Sequence, residues 1–194
     1  MHSYLKNTGT VDAVSGLMAG ARQVPSPNHD LRPEGCAPDL IVVHGISLPP
    51  GEFGGPWIDR LFTNTLAADV HPYFATVAAM QVSSHLLIRR DGECVQYVSF
   101  LQRAWHAGQS SYAGRERCND FSIGIELEGA DDVAYEHAQY RVLTDAIVAL
   151  CAAYPSLSIE AVAGHSEIAP GRKTDPGPAF DWPRLRALLC SRTG

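Results

Sequence analysis

The sequence predicts a mixed α/β fold, and three patterns in the chain lead to that prediction. Residues 40–44 form an apolar run that ends in a histidine, which is typical of a buried central strand. Residues 84–89 and 94–98 are strand-like and flank an Asp-Gly pair, the strongest short signal for a hairpin. Residues 136–154 carry a helical apolar stripe. The 194 residues are expected to form one domain, residues 1–194, with a substantial core.

The other predicted elements follow from residue spacing and from proline. Apolar and polar spacing predicts short helices over residues 11–22, 57–62, 72–80 and 182–190, and an alternating strand over residues 121–128. Pro56 favours the start of the second of these helices because proline suits a first helical turn. Between these elements, residues 24–38 are predicted to be a polar connection and residues 45–55 a long loop.

Charge and composition argue against several classes of function. The net charge of −6 and the pI near 5.7 disfavour nucleic acid as a partner, which requires a basic face. No apolar run approaches the roughly 20 residues of a membrane span. The first residues lack the pattern of an export signal, and the five cysteines are scattered without a CxxC pair. We therefore expect a protein of the reducing cytoplasm without a membrane partner.

A carboxylate in the middle of the strand over residues 121–128 is the first chemical signal. Side chains alternate along a strand, so Glu126 and Glu128 lie on the face opposite Ile125. Burial would raise the pKa of Glu126 toward the range of a useful general base. A solvated edge strand, or a glutamate paired with an arginine, gives the same pattern and remains an alternative.

The Gly/Pro-rich segment at residues 164–178 is the second chemical signal. It contains His165, Lys173 and Asp175, and His44 ends the first apolar run far upstream. Two histidines and one carboxylate leave one position of a tetrahedral zinc open, as in a catalytic site. This pattern predicts a metal-dependent hydrolase.

Spacing alone does not rank these histidines above two others. His85 lies in a predicted strand and His106 in a loop, and each could be a ligand, a substrate contact or a structural residue. A Ser-His-Asp hydrolase is less favoured because the chain has no G-x-S-x-G segment. A Cys-His hydrolase is less favoured because the cysteines carry no nucleophile signature.

Six segments carry a resemblance to the zinc N-acetylmuramoyl-L-alanine amidases, a group that includes a phage lysozyme and the peptidoglycan recognition proteins. Within this group the chain most resembles the 1,6-anhydro-N-acetylmuramoyl-L-alanine amidases. The segments are residues 40–44 (LIVVH), 46–59 (ISLPPGEFGGPWID), 87–92 (LIRRDG), 103–108 (RAWHAG), 114–129 (GRERCNDFSIGIELEG) and 173–178 (KTDPGP). The resemblance extends from about residue 24 to residue 182.

The resemblance implies a central mixed β-sheet flanked by α-helices and a zinc site. The residues that match the family's functional positions are His44, His165 and Asp175 as Zn²⁺ ligands, Glu126 and Lys173 as catalytic residues, and Trp105, Arg117 and Arg172 as substrate-binding residues. Gly45 departs from the family, whose members often carry asparagine there, and this puts one polar substrate contact in doubt.

The implied reaction is hydrolysis of the amide between anhydro-N-acetylmuramic acid and L-alanine in a small muropeptide. The resemblance also implies a role in cell-wall recycling, which in many bacteria restrains β-lactamase induction, and we expect a monomer. An envelope amidase and a peptidoglycan-binding module without activity remain alternatives. The presence of all five ligand and catalytic residues argues against the binding module.

Overall fold

A six-stranded mixed β-sheet forms the centre of the molecule. The computed structural model describes residues 9–193. In chain order the strands are β1 (Val11–Asp12), β2 (Leu17–Met18), β3 (Arg22–Gln23), β4 (His29–Leu31), β5 (Leu40–Ile46), β6 (Leu86–Ile88), β7 (Cys94–Gln96), β8 (Gln102–Ala104), β9 (Ser111–Tyr112), β10 (Arg115–Glu116), β11 (Ser122–Glu128) and β12 (Val162–Gly164). The helices are α1 (Trp57–Phe62), α2 (Phe74–Val77), α3 (His137–Ala153), α4 (His165–Ile168) and α5 (Trp182–Thr193), and Cys118–Asp120 form a 3-10 turn.

The strand order of the central sheet is β12-β5-β11-β6-β7-β3. Strands β12, β5, β11 and β6 run parallel, and β7 pairs antiparallel with β6 through the predicted Asp-Gly hairpin. Strand β11 lies inside the sheet between β5 and β6, and all seven of its residues are buried. The solvated edge strand considered for this segment is therefore wrong. The predicted mixed sheet with flanking helices is confirmed.

Apolar side chains cover both faces of this sheet. On one face, Ile123, Ile125 and Leu127 of β11 pack in one cluster with Leu143 and Ile147 of the long helix α3. On the other face, α1 and α2 contribute to a second cluster with strands β6 and β7. None of the helices within residues 9–193 is long and apolar enough to cross a lipid bilayer.

A buried ion pair fixes the loop that leads from β5 to α1. Glu128 is 2% exposed, and its carboxylate accepts hydrogen bonds from the Gly54 backbone N–H at 2.7 Å and from Arg89 at 3.2 Å. Arg89 also donates to the Gly55 carbonyl at 3.0 Å and to Asp59 of α1 at 3.2 Å. The loop is therefore tied to the end of β11 through charged hydrogen bonds.

The helix predicted over residues 11–22 is wrong, since this segment forms the hairpin of β1 and β2. The Asp12 carboxylate accepts hydrogen bonds from the Val14 N–H at 2.9 Å and the Ser15 hydroxyl at 2.8 Å. Gly16 then adopts a left-handed conformation with φ of 68°. These local bonds stabilise a turn, which outweighs the weak helical spacing of so short a segment.

Other elements also differ from the sequence prediction. The connection over residues 24–38 contains the short strand β4, which pairs with β8. The helix predicted over residues 72–80 is confined to α2, while the helix predicted over residues 182–190 extends as α5. The strands β9 and β10 carry little periodicity because each has two residues, so the pattern did not reveal them.

We predict that Ile125→Ala lowers the free energy of unfolding by about 2–5 kcal/mol, since the fully buried side chain would leave a cavity against α3. Denaturant unfolding measures this change. Val14→Ala is the control because Val14 is 88% exposed. That variant should stay within about 0.5 kcal/mol of the parent. Equal losses in the two variants would contradict the position of Ile125 in the core.

Candidate metal centre and cleft

The candidate site lies at the carboxyl ends of three adjacent parallel strands. In the sheet register, Glu126 of β11 is opposite His44 of β5, and Gly164 of β12 is opposite Val43. His165 follows Gly164 directly as the first residue of α4, so it emerges beside His44. Ligands bind most often at this end of parallel strands because the loops there converge.

Asp175 completes the set from the loop after α4. Its backbone carbonyl accepts a hydrogen bond from the Ser166 N–H at 2.9 Å, which holds the loop against the start of the helix. His165 was predicted in a loop, but it is the first residue of the short helix α4. The surrounding glycines and prolines had indicated a loop instead. The three predicted ligands are brought together although 121 residues separate His44 from His165.

The three candidate ligand atoms form a small triangle. His44 Nδ1 lies 2.9 Å from His165 Nδ1 and 3.3 Å from Asp175 Oδ2, and His165 Nδ1 lies 3.0 Å from Asp175 Oδ2. A tetrahedral zinc with bonds of about 2.0 Å separates its ligand atoms by roughly 3.3 Å. The triangle is therefore close to the size that one metal ion needs.

Proton positions also favour a cation in this triangle. His165 Nε2 lies 3.2 Å from the carbonyl oxygen of Ala107, and a carbonyl can only accept, so Nε2 carries the hydrogen. The lone pair of His165 Nδ1 then faces the Asp175 carboxylate at 3.0 Å. Two acceptors at that distance repel each other unless a proton or a metal cation lies between them. Burial lowers the pKa of His44 to about 4, which keeps it neutral, as a ligand must be.

Glu126 provides a buried carboxylate beside the triangle. It is 8% exposed, and its Oε2 has no hydrogen-bond partner among the described residues. Burial raises the pKa of Glu126 well above its usual value, the charge of Asp175 raises it further, and Lys173 opposes the shift. An unpartnered carboxylate oxygen with a raised pKa is suited to accept a proton in a reaction.

A cleft of about 540 Å³ contains these groups. Lys173, Trp105 and Arg172 line it, and Lys173 is exposed at its mouth. The rest of the lining includes an apolar wall that sequence reasoning missed: Leu48, Leu61, Phe62, Tyr73, Val77, Met80 and Val82. Because this wall comes from α1, α2 and their flanking loops, no single periodic segment reveals it.

The three predicted substrate-binding residues occupy different surroundings. The Trp105 indole N–H donates to Asp30 at 3.2 Å. The Arg172 guanidinium donates to the carbonyls of Ala107 and Gln109, each at 2.6 Å. Arg117 lies outside the lining of the cleft, in an adjoining groove that Arg172 also lines.

The structure distinguishes His85 from His106, which the sequence could not rank. His106 Nδ1 lies 2.9 Å from His44 Nε2, directly behind the triangle. His85 Nδ1 accepts from the Gly124 N–H at 3.0 Å instead. One sequence signal could have favoured His106: it directly follows Trp105, a predicted substrate-binding residue.

Gly45 has a local explanation in the packing beside the site. A Cβ atom at this position would lie 2.3 Å from the hydroxyl oxygen of Tyr135. That hydroxyl donates to the carbonyl of Pro176 at 2.9 Å, next to the candidate ligand Asp175. The side chain of Tyr135, in the segment that precedes α3, therefore fills the space beside Gly45.

Two histidines and an aspartate that could hold one metal ion share a cleft with a second carboxyl group and a lysine, and this set is a candidate site for hydrolysis. Residues 34–178 match the family described as N-acetylmuramoyl-L-alanine amidase, and the chain belongs to this family. The 1,6-anhydro-N-acetylmuramyl-L-alanine amidase AmpD of Salmonella typhimurium (strain SL1344) is 63% identical over 174 residues, 90% of this chain and 92% of that protein.

Solved structures agree with this assignment. A crystal structure of a Se-Met AmpD derivative matches with a TM-score of 0.89 at 62% identity, over 92% of this chain and 98% of that chain. A complex of the N-acetylmuramyl-L-alanine amidase AmiD from E. coli matches with a TM-score of 0.57 at 31% identity. It covers 81% of this chain and 60% of that chain, and its substrate is anhydro-N-acetylmuramic acid-L-Ala-D-gamma-Glu-L-Lys.

Because the pKa of Glu126 is raised in the folded protein, we predict that Glu126 lowers the free energy of unfolding of the metal-free protein in a pH-dependent way. Below pH about 4.5 the carboxyl is neutral in both folded and unfolded chains, so ionisation costs nothing. As pH rises further, the unfolded chain ionises first, and the folded protein loses stability until its own raised pKa is passed. Glu126→Gln should therefore be more stable than the parent, by a margin that grows above that pH.

Thermal unfolding of both metal-free proteins between pH 4 and pH 8 measures this margin. Glu128→Gln is the control because Glu128 is paired with Arg89. Its margin should have the opposite sign, since the charged pair is lost. A constant difference between Glu126→Gln and the parent at every pH would contradict the burial of an ionisable Glu126.

Proposed function

We propose that this protein hydrolyses the amide bond between 1,6-anhydro-N-acetylmuramic acid and L-alanine in a zinc-dependent reaction. The observation that carries the proposal is the convergence of His44, His165 and Asp175 beside the unpartnered oxygen of Glu126. Relatives named as amidases with this specificity, at 63% identity over 90% of the chain, support the choice of bond.

The chemistry of the donors favours zinc over other ions. Two imidazole nitrogens and one carboxylate oxygen suit zinc, whereas magnesium and calcium prefer oxygen ligands. Three protein ligands leave a further coordination position open, as catalytic zinc sites do. When bound, zinc would supply Lewis acidity and would ionise water near neutral pH.

Glu126 is proposed as the group that moves the proton. Its unpartnered Oε2 accepts a proton from the water that attacks the lactyl carbonyl carbon, while a C–O bond forms. The C–N bond then breaks, and Glu126 passes the proton to the departing L-alanine nitrogen. The raised pKa of Glu126 suits both steps, because the group must hold a proton between them.

Lys173 is proposed to face the negative charge that develops on the amide oxygen. It lines the same cleft as Glu126, and its charge opposes the rise in the Glu126 pKa, so it acts on the site electrostatically. Its exposed position leaves the ammonium able to approach a bound substrate. The buried His44 and His165 in the same cleft are proposed to serve as metal ligands rather than as proton carriers.

The substrate is proposed to be a small anhydro-muropeptide. The cleft of about 540 Å³ falls within the range of small-molecule sites. Trp105 offers an aromatic face for a sugar ring, and the apolar wall offers further contact. Arg172 and Arg117 line the groove next to the cleft, where they would attract the carboxylates of a peptide stem.

Hydrolysis of this substrate fits a role in cell-wall recycling. By removing an inducing muropeptide, the protein would also restrain β-lactamase induction. Action in the cytoplasm, as a monomer of one domain, remains a prediction. The envelope amidase and the binding module differ from this proposal in substrate preference and in turnover, which the experiments below measure.

Three variants test the proposed roles in turnover. Glu126→Gln should lower kcat by at least ~100-fold while zinc stays bound, since a general base is lost. Asp175→Ala should lose zinc, because two ligands remain. Glu128→Gln is the matched control on the same strand, and it should retain kcat within about tenfold while thermal stability falls. Elemental analysis gives the zinc content and product release gives kcat.

Reversed effects of the two glutamate variants, at equal zinc content, would refute the role of Glu126. Full activity of a metal-free parent would refute the metal dependence. Binding of muropeptide without any turnover by the zinc-containing parent would favour the binding module instead.

Competition between two substrates tests the proposed specificity. The protein should hydrolyse a purified anhydro-muropeptide with a tripeptide stem at a kcat/KM at least ~100-fold above that for insoluble cell wall, because the cleft fits one small ligand. Arg117→Ala should raise KM with little change in kcat if the adjoining groove binds the stem. Comparable kcat/KM for both substrates would favour the envelope amidase.

A further inference from the structure

A chain of hydrogen bonds leads from the interior of the protein to the candidate ligand His44. It begins at Ser122 of β11, whose hydroxyl lies 2.5 Å from the carbonyl oxygen of Cys118. A carbonyl only accepts, so the hydroxyl hydrogen points to Cys118. The Ser122 oxygen is then left as an acceptor for its other neighbour, His106.

The direction of each further bond follows from this first one. His106 Nε2 lies 3.2 Å from the Ser122 oxygen and must carry the hydrogen. His106 Nδ1 is therefore an acceptor in the neutral ring, and it lies 2.9 Å from His44 Nε2. His44 Nε2 must then carry the hydrogen, and the lone pair of His44 Nδ1 is directed toward His165 and Asp175.

The surroundings hold the His106 ring in this position. A Cβ atom on Gly124 would lie 2.5 Å from the ring, so β11 approaches His106 closely only because this residue is glycine. The His106 and Ala107 backbone N–H groups both donate to the Asn119 side chain, at 3.1 and 2.8 Å. The His106 ring meets that of His44 edge-on, with 5.0 Å between centroids.

We propose that His106 is a positioning residue that holds His44 with Nδ1 toward the metal, and that Ser122 sets the orientation of His106. The adjacent Ala107 carbonyl does the same for His165, so one short segment orients both histidine ligands. Groups that bind the far nitrogen of a metal-ligating histidine fix its tautomer and strengthen the ligand. This inference rests on the proposed zinc site.

His85 provides a matched control for the test. It is a fully buried histidine whose ring lies 5.7 Å from that of His106, at 68° to it. Its nitrogens bond elsewhere, to the Gly124 N–H at 3.0 Å and the Gln102 carbonyl at 3.1 Å. Replacing His85 therefore disturbs the same part of the core without removing a bond to His44.

The first measurement is the zinc affinity of folded protein, obtained by competition with a chelator. His106→Phe keeps an aromatic ring but removes the acceptor, and should weaken zinc binding by about 10–100-fold. His106→Asn places an amide oxygen close to the position of Nδ1, and should stay within about fivefold of the parent. His85→Phe should lower thermal stability but change zinc affinity by less than about threefold.

The second measurement reads the tautomers directly in the metal-free and zinc-bound parent. Long-range proton–nitrogen correlation spectra of protein with ¹⁵N-labelled histidine should show hydrogen on Nε2 of both His44 and His106. Ser122→Ala should yield a mixture of His106 tautomers. This measurement decides the question even if His106→Phe does not fold.

The outcomes separate the inference from the proposed function. A parent that binds no zinc refutes the proposed metal centre. A parent that binds zinc, with unchanged affinity in folded His106→Phe, refutes only the positioning role. Hydrogen on Nδ1 of His106, or equal losses of zinc affinity in the His106→Phe and His85→Phe variants, would also overturn it.

Discussion

The parallel register of β12, β5 and β11 is the constraint on which the site depends. Backbone hydrogen bonds place Glu126 opposite His44 and bring Gly164 beside Val43, so that His165 emerges next to His44. A shift of one residue in β11 would turn Glu126 toward the apolar cluster and expose its neighbours to the cleft. The apolar side chains of β11 that pack against α3 oppose such a shift, so the core that stabilises the fold also sets the geometry of the site.

Burying a carboxylate costs desolvation free energy, and the surroundings of the two buried glutamates of β11 offset this cost to different extents. Glu128 is neutralised by Arg89 and by backbone N–H groups, which also hold the loop between β5 and α1. Glu126, two residues earlier, has an oxygen without such a partner among the described residues. The first arrangement contributes to structure, and the second leaves a carboxyl group whose ionised form is poorly stabilised by the fold alone. Adjacent positions on one strand face thus acquire separate roles through their neighbours.

The sequence predicted elements well where one strong pattern covered them. The apolar run of β5, the alternation of β11, the Asp-Gly hairpin and the stripe of α3 all have the expected type. The prediction failed over residues 11–22, where the Asp12 side chain stabilises a turn that a periodicity argument does not consider. It also missed α4, a single helical turn whose residues carry no stripe. Short elements depend on tertiary neighbours, because few local bonds hold them.

The sequence by itself determined the chemical inventory: two histidines and an aspartate, a mid-strand glutamate, a lysine, and the segments that resemble the amidases. The tertiary structure decided which of these groups meet. It brings His44 to His165 across 121 residues and separates the roles of Glu126 and Glu128, of which only the second is paired with Arg89. It also puts His106 rather than His85 behind the candidate ligand His44. The reason is physical: a residue's type sets its chemistry, whereas its pKa, tautomer and partners depend on atoms that are distant in the chain.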